Sequence, residues 1–195
     1  MSLQWTYEKD HFHLRAESIE SLLTPRTKAL MINTPSNPTG AVLSKQELEE
    51  ISEVVLKHDL KVISDETYSE IVYDGRRHVS IASLPSMSDK TIVVNSFSKT
   101  YAMTGWRVGF AVGDSNVIKQ MAKLQESISS CVNASAQQAC LAALNGPQDC
   151  VKEMVEGYRE RRDMLLSGLQ EIPGISCMMP EGSFYAFPSI KGLGL

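Results

Sequence analysis

The alternation of short apolar runs with an amphipathic helix constrains the fold of this chain more than any other sequence feature. Four runs are candidate strands, at residues 28–33, 61–64, 91–95 and 108–112. Ser44 and Glu47 have the spacing of a capping box, which predicts a helix that continues to about His58. The apolar face of this helix comprises Leu48, Ile51 and Val55. Strand–helix–strand order at this spacing predicts an α/β fold with a mostly parallel sheet and helices on its faces.

The chain becomes helical after Asp114. Three helices are predicted there, at residues 116–126, 134–144 and 148–169. The last is long enough to bridge two domains, and its apolar face comprises Val151, Met154, Val155, Tyr158, Leu165 and Leu166. Short strands at 175–178 and 183–187 follow as the start of a smaller α+β unit. We therefore divide the chain into a partial large domain, residues 1–150, and an interdomain helix with an incomplete small domain, residues 151–195.

Charge, hydropathy and cysteine content argue against several kinds of partner. The formal net charge is −4 over 195 residues, whereas a surface that binds duplex nucleic acid is usually basic. No apolar stretch of the sequence reaches the length needed to span a bilayer, so we expect no membrane association. The four cysteines form no CxxC pair and have no histidine cluster beside them. We therefore expect reduced thiols in a cytoplasmic protein, and no metal site.

Polar side chains follow the predicted strands at the points where these end. Asn37 follows the first run, Asp65 the second, and the segment from Ser96 to Lys99 the third. Ligands of parallel α/β sheets bind beyond the carboxyl ends of the strands, so these side chains are candidates for one site. Arg107 precedes the fourth run instead, and it reaches the same edge only if that strand runs antiparallel to the others. We predict that it does.

The residue types around Lys99 suit a phosphorylated aldehyde. A neutral lysine amine forms an imine with an aldehyde, and nearby positive charge or partial burial favours the neutral amine. The hydroxyl of Ser96 can donate to phosphate oxygens, and the guanidinium of Arg107 offers a planar fork that matches them. Together these residues predict pyridoxal 5'-phosphate as the cofactor.

Three further polar residues each have two interpretations. Asp65 either caps a turn or keeps a bound pyridine nitrogen protonated. Tyr68, close by in the sequence, is either a packing residue or a donor to the ring oxygen of the cofactor. Asn37 lies in Asn-Pro-Thr-Gly, which is a turn signal in its own right, and it is either structural or ligand-binding.

Three motifs, NTPSNPTG, SDETYSEIVYDG and SFSKTYAMTGWRVGF, resemble in order and spacing those of the class I/II aminotransferases. These are pyridoxal-phosphate enzymes of fold type I, and the subgroup resembled is the bacterial aspartate-aminotransferase-like one. The resemblance extends from about His11 to Phe187. It implies a large-domain sheet in which the strand after the lysine is antiparallel, an amino acid and a 2-oxo acid as substrates, and a homodimer.

The resemblance also implies a role for each site residue. Lys99 is the catalytic lysine, which binds the cofactor aldehyde and later moves a proton between substrate and cofactor carbons. The other cofactor-binding residues that it implies are Asp65 at the pyridine nitrogen, Asn37 and Tyr68 at the phenolic oxygen, and Ser96 and Arg107 at the phosphate. A cis peptide bond before Pro38 is common in the family.

The extent of the chain differs from the family pattern. Family members carry a long preceding segment with further strands, and a second arginine, which binds the substrate carboxylate, in the later part of the small domain. We therefore expect an internal fragment that alone binds the cofactor weakly or not at all and is inactive. Two alternatives stay open: a lyase that uses the same cofactor to cleave a carbon–sulfur bond by β-elimination, and a non-catalytic fragment. The sequence does not name the amino-acid substrate.

Overall fold

The chain folds around two β-sheets. The computed structural model describes residues 5–8 and 11–194, and these form six strands. They are β1 (Thr6–Glu8), β2 (His11–His13), β3 (Ala29–Asn33), β4 (Lys61–Asp65), β5 (Thr91–Ser96) and β6 (Gly109–Val112). β1 and β2 form a separate antiparallel pair with Thr6 opposite His13. The sequence does not indicate this pair, because its first residues show no clear period.

The larger sheet has the order β3-β4-β5-β6. β4 lies parallel to both of its neighbours and brings Asp65 opposite Asn33. β6 is antiparallel to β5, with Gly109 opposite Ser96. The predicted α/β class and the predicted reversal of the last strand are therefore confirmed. β6 begins one position after its predicted start, because Arg107 has a left-handed backbone with φ of +54° and turns the chain first.

The helices were largely predictable in type and position. Within the described residues they are α1 (Ala16–Ser21), α2 (Lys45–Lys57), α3 (Phe97–Thr100), α4 (Ser115–Ser129), α5 (Ala134–Asn145) and α6 (Asp149–Gln170). The predicted capping box of α2 is confirmed: the Ser44 hydroxyl accepts from the Glu47 N–H at 3.2 Å, and the Glu47 carboxylate accepts from the Ser44 N–H at 2.9 Å. In the described part of the chain, no helix is both long and apolar enough to cross a membrane.

Apolar side chains of β3, α2 and β4 form the main core. The predicted inner face of α2 is confirmed, since Leu48, Ile51 and Val55 are fully buried. They belong to one cluster with strand and loop residues, among them Leu30, Ile32, Val62, Ile81 and Met87. Each side chain of this size contributes about 1.5–3 kcal/mol by leaving water. This core therefore fixes the strands whose carboxyl ends carry the polar residues.

The helices after β6 are less buried. Every described residue of α4 is at least partly exposed, and Leu124 and Ile128 are 62% and 79% exposed. On α6, Leu166 is buried but Leu165 is exposed, which contradicts the predicted place of Leu165 on the inner face. Adjacent positions of an α-helix point about 100° apart, so the face that buries Leu166 turns Leu165 toward its border. Arg162, one turn before Leu166, is buried instead.

The segment after α6 returns to the turns that follow β3 and β4 without forming regular strands. The predicted strands at 175–178 and 183–187 are therefore wrong. The region makes two isolated bridges, Ser176 with Ser189 and Val72 with Gly182. Ser183 has φ of +58°, a left-handed conformation that interrupts an extended strand, and Pro188 lacks the N–H that a ladder needs. The division into domains at residue 150 stays a prediction.

Candidate functional site

The carboxyl ends of β3 and β4 place two polar residues side by side. Asn33, which ends β3, donates from Nδ2 to the Asp65 carbonyl oxygen at 3.1 Å. The Asp65 carboxylate accepts from the Thr67 N–H at 3.1 Å, so it caps the turn after β4. Because this bond is to Oδ1, it is compatible with a ligand bond at Oδ2.

Asn37 and Tyr68 lie on the turns that leave these two strands. The Asn37 N–H donates to Asn33 Oδ1 at 2.7 Å, which folds the turn back toward β3. The peptide bond before Pro38 is cis, as the resemblance implies, and the Thr34–Pro35 bond is cis as well. Asn37 is exposed, whereas Tyr68 is only 5% exposed. The two side chains therefore present an accessible amide beside a buried phenol.

Lys99 lies on α3, directly after the end of β5. The Ser96 hydroxyl caps α3 by accepting from the Ser98 N–H at 3.1 Å. A serine hydroxyl that accepts one bond still has its proton to donate, so Ser96 can cap α3 and also bind an anion. Lys99 is half-buried, and its Nζ lies 5.4 Å from the centre of the Phe184 ring. The amine therefore faces an aromatic surface on one side.

Arg107 lies at the same edge of the sheet as α3. The Phe97 N–H donates to the Val108 carbonyl at 3.2 Å, which brings the preceding residues Ser96 and Arg107 to that edge. Arg107 is exposed, and its Nη1 donates to the Thr104 carbonyl at 2.9 Å. A guanidinium has five N–H donors, so this bond orients the group and leaves donors for an anion.

Phe184 and Tyr185 contact Lys99, Tyr68 and Asn37, and the sequence did not indicate either of them as a site residue. The Tyr185 hydroxyl lies 2.9 Å from the Tyr68 hydroxyl, and Asn37 Nδ2 donates to it at 3.4 Å. The Phe184 ring packs edge-on against Tyr68, with 5.3 Å between the ring centres. Burial, followed by the Tyr185 phenol, raises the pKa of Tyr68, which therefore stays protonated. The available signal was an aromatic pair soon after a Pro-Glu-Gly turn.

Hydrogen bonds hold the segment 180–185 between the turns of the site. The Ser183 N–H donates to the Ile71 carbonyl at 2.8 Å, and the Ser183 hydroxyl donates to the Ser36 carbonyl at 3.1 Å. The Tyr73 hydroxyl donates to the Ser183 carbonyl. The segment thus connects the turn after β3 with the turn after β4, and this fixes the aromatic pair.

Arg162 ties the same segment to α6. Its guanidinium donates to the two carboxylate oxygens of Asp74 at 2.7 and 3.1 Å, and Nη1 also donates to the Pro180 carbonyl at 3.0 Å. Its guanidinium carbon lies 4.7 Å from the centre of the Tyr73 ring. The hydrogen bonds from Arg162 hold the pKa of Asp74 below its usual value. This charged cluster positions the segment relative to the sheet.

A second buried cluster lies beside the Asp65 end of β4. Glu66 is 5% exposed and accepts from the Ser64 hydroxyl at 2.9 Å and the Ser80 hydroxyl at 2.6 Å. Its other carboxylate oxygen lies 3.0 Å from Nε2 of His78. Burial opposes ionisation, but these three groups outweigh it and hold the pKa of Glu66 below its usual value. Because Glu66 follows Asp65 directly, the cluster fixes the backbone that carries Asp65.

Contacts connect the sequence-predicted residues in two groups. The first group contains Lys99, Tyr68, Asn37 and Asp65, and its connecting residues are Phe184, Tyr185 and Asn33. The second group is Ser96 with Arg107, at the start of α3. The first offers an amine, an amide, phenols and a carboxylate, and the second a hydroxyl and a guanidinium. Such a set can bind an aromatic ring that carries a carbonyl, a phenolic oxygen, a basic nitrogen and a phosphate.

Known proteins match nearly the whole chain. A family model described as aminotransferase class I and II matches residues 3–193. The aspartate aminotransferase of Bacillus subtilis (strain 168) is 42% identical over 185 residues, which are 94% of this chain and 47% of that protein. Aromatic-amino-acid aminotransferase 2 of Thermococcus litoralis is 45% identical over 192 residues, which are 97% of this chain and 49% of that protein.

Solved structures match the fold closely. The aspartate aminotransferase from Rhizobium meliloti has a TM-score of 0.91 at 44% identity, over 94% of this chain and 46% of that one. An aromatic aminotransferase from Pyrococcus horikoshii OT3 has a TM-score of 0.93 at 46% identity, over 97% of this chain and 51% of that one. The chain therefore spans about half the length of the relatives that it matches.

Proposed function

The chain belongs to the class I and II aminotransferases, and from that membership we propose that it forms part of an enzyme that transfers an amino group between an amino acid and a 2-oxo acid. One observation carries the proposal: Lys99 faces an aromatic and phenolic cluster at the carboxyl edge of the sheet. A half-buried amine beside the raised-pKa phenol of Tyr68 suits carbonyl chemistry on amino acids. The names of the relatives differ between aspartate and aromatic amino acids, so the proposal is made for the reaction class.

The residues present fit pyridoxal 5'-phosphate as the cofactor, because each of its polar groups has a chemical complement among them. The residues that would hold it are Lys99 at the aldehyde, Asp65 at the pyridine nitrogen, Asn37 and Tyr68 at the phenolic oxygen, and Ser96 and Arg107 at the phosphate. When bound, the cofactor supplies an electron-accepting ring for the substrate carbon that loses its proton. The protein supplies orientation and charge.

Two side chains of the first group have distinct tasks in this proposal. Nζ of Lys99 carries the proton that moves between the substrate carbon and the cofactor carbon. To accept this proton, the amine must be neutral. Phe184 covers one side of that amine and limits the access of water. Tyr68 stays a hydrogen-bond donor over the physiological pH range, because burial and its phenol neighbour raise its pKa.

We also propose that the whole enzyme is a cytoplasmic homodimer with a role in amino-acid metabolism. α4 exposes an apolar stripe that association would cover, comprising Val117, Met121, Leu124 and Ile128. The thiols of Cys131 and Cys150 are free and exposed, which suits a reducing compartment.

Borohydride trapping tests the proposal in the full-length protein that contains this chain. With pyridoxal 5'-phosphate, we expect a visible absorption band, a reducible adduct that mass spectrometry locates at Lys99, and amino transfer that depends on a 2-oxo acid. Lys99→Ala should abolish the adduct and reduce turnover by at least about 10²–10⁴-fold.

The matched control is Lys123→Ala, which removes an exposed lysine of α4 and should leave the adduct and the turnover unchanged. An adduct at another lysine, or full turnover by Lys99→Ala, would contradict the proposal. Release of pyruvate and ammonia without a 2-oxo acid would instead identify the β-eliminating lyase.

A further inference from the structure

A phenol from outside the three motifs bridges two residues of the candidate cofactor site. Tyr185 lies in the segment after α6, yet its hydroxyl is 2.9 Å from that of Tyr68 and 3.4 Å from Asn37 Nδ2. Tyr68 and Asn37 are the two residues proposed to hold the phenolic oxygen of the cofactor. We refer to the side chains of Tyr185, Tyr68 and Asn37 as the phenol trio.

In the phenol trio, the direction of one hydrogen bond is fixed by the groups themselves, and the direction of the other is the one that the proposal assigns. An amide –NH2 can only donate, so the Tyr185 oxygen accepts from Asn37. Tyr185 then has a single proton, which the Tyr68 oxygen at 2.9 Å can accept. Tyr68, whose oxygen now accepts, has its own proton free for a third group. Hydrogen bonds in such a chain polarise one another, so Tyr68 becomes a stronger donor.

The position of Tyr185 is set by tightly packed backbone. The N–H groups of Glu181 and Gly182 both donate to the Gly40 carbonyl at 2.9 Å. Gly40 itself approaches Pro180 so closely that an added Cβ would lie 2.6 Å from the Pro180 Cβ. Close backbone contact of this kind holds a side chain in one place, which is what a positioning role requires.

We propose that Tyr185 is a positioning residue of this site: its hydroxyl donates to the Tyr68 oxygen and so directs the Tyr68 proton toward the phenolic oxygen of the bound cofactor. The inference rests on the proposed function and adds a residue that acts through Tyr68. Tyr185→Phe removes only the hydroxyl. The ring contacts with Tyr68 and Phe184, at 5.7 and 4.9 Å between centres, are retained, so we expect the variant to fold.

The test is a pH titration of the visible absorption of the full-length holoenzyme. Weaker donation from Tyr68 leaves more negative charge on the cofactor's phenolic oxygen, and this charge holds a neighbouring proton more tightly. The pH midpoint of the spectral change should therefore rise in Tyr185→Phe, by about 0.3–1 pH unit. A residue that only packs would change the thermal midpoint of unfolding and leave the spectral midpoint where it was.

Two further variants separate the possible outcomes. Tyr158→Phe is the matched control, because the Tyr158 ring also packs on Phe184 but its phenol lies outside the trio, and its spectral midpoint should not move. In a Tyr68→Phe background, adding Tyr185→Phe should cause no further shift, since Tyr185 acts through Tyr68. An unchanged midpoint in the single variant, or an equal shift in the Tyr68→Phe background, overturns the inference. A missing visible band in the unsubstituted protein refutes the proposed function itself, and the inference with it.

Discussion

Replacing Arg162 by alanine should destabilise the protein by about 3 kcal/mol, because Arg162 connects the C-terminal segment and α6 to the chain after β4. Its side chain is 8% exposed and has one partner in that segment, the Pro180 carbonyl, and two after β4, the Asp74 carboxylate and the Tyr73 ring. Alanine removes all three contacts at once and leaves the Pro180 carbonyl without this donor. The segment that carries Phe184 and Tyr185 then keeps its ring contact with Tyr158 of α6 but loses the polar connection to that helix.

The magnitude follows from the separate contacts. A hydrogen bond to a charged group is worth about 1.5–3 kcal/mol. The Asp74 side chain is 49% exposed and regains water in the variant, so the low end of that range, about 1.5 kcal/mol, applies to the whole pair. The Pro180 bond and the cation–π contact with Tyr73 together add about 1.5 kcal/mol. The sum lies at the low end of the range for removing one partner of a buried pair.

Two companion variants sharpen the expectation. Asp74→Ala leaves Arg162 bonded to Asp163 at 2.8 Å and to the Pro180 carbonyl, so its loss should be only about 1–2 kcal/mol. Arg162→Lys keeps the charge but not the fork, and its loss should be intermediate, about 2 kcal/mol.

Urea denaturation at pH 7, followed by far-UV circular dichroism, measures these differences as shifts of the midpoint at constant slope. A loss of 3 kcal/mol corresponds to a fall of about 6–12 °C in Tm for a chain of this size. A loss below about 1 kcal/mol in Arg162→Ala, or an equal loss in Asp74→Ala, would refute the assignment of this cluster as the anchor.

Two other variants test local features of the fold. Ser44→Ala removes one side of the capping box of α2 and should cost about 1 kcal/mol in urea denaturation, and no measurable loss would rule out a contribution from the cap. The pKa of Glu66 is lower in the folded chain than the ordinary value of 4.5. The ionised carboxylate therefore stabilises the fold fully above pH 4.5, and this stabilisation is lost as the pH falls through the folded pKa. Glu66→Gln should therefore lose stability less steeply between about pH 5 and pH 3 than the unsubstituted chain, and acid-unfolding curves of equal steepness would contradict the assignment.

The parts of the fold that could be predicted have local signals. The apolar runs of β3, β4 and β5 are bounded by turn residues, and the start of α2 carries its cap in Ser44 and Glu47. The direction of β6 could be deduced as well, because Arg107 had to reach the edge where Lys99 lies. These inferences use residues that are close in sequence, where the spacing determines the geometry.

The parts that could not be predicted depend on tertiary packing. The sequence places Leu165 on an apolar face of α6, but in the structure Arg162 is buried and Leu165 is exposed. Tyr185 reads as a strand residue, yet Ser183 turns the chain and brings the Tyr185 phenol to Tyr68, 117 positions away in sequence. Only the three-dimensional contacts of such residues reveal their role.

The pairing of Asn37 with Tyr185 has a consequence for the order of events during synthesis, since the two are 148 positions apart. A chain that emerges from the ribosome exposes Asn37 and the strands up to Val112 well before Tyr185, so the sheet can form while the phenol trio does not yet exist. A nascent chain halted before Tyr185 would have its lysine in place and lack the trio. Binding of the cofactor is therefore expected to be a late event. It should occur only after α6 and the segment that carries Tyr185 have been synthesised.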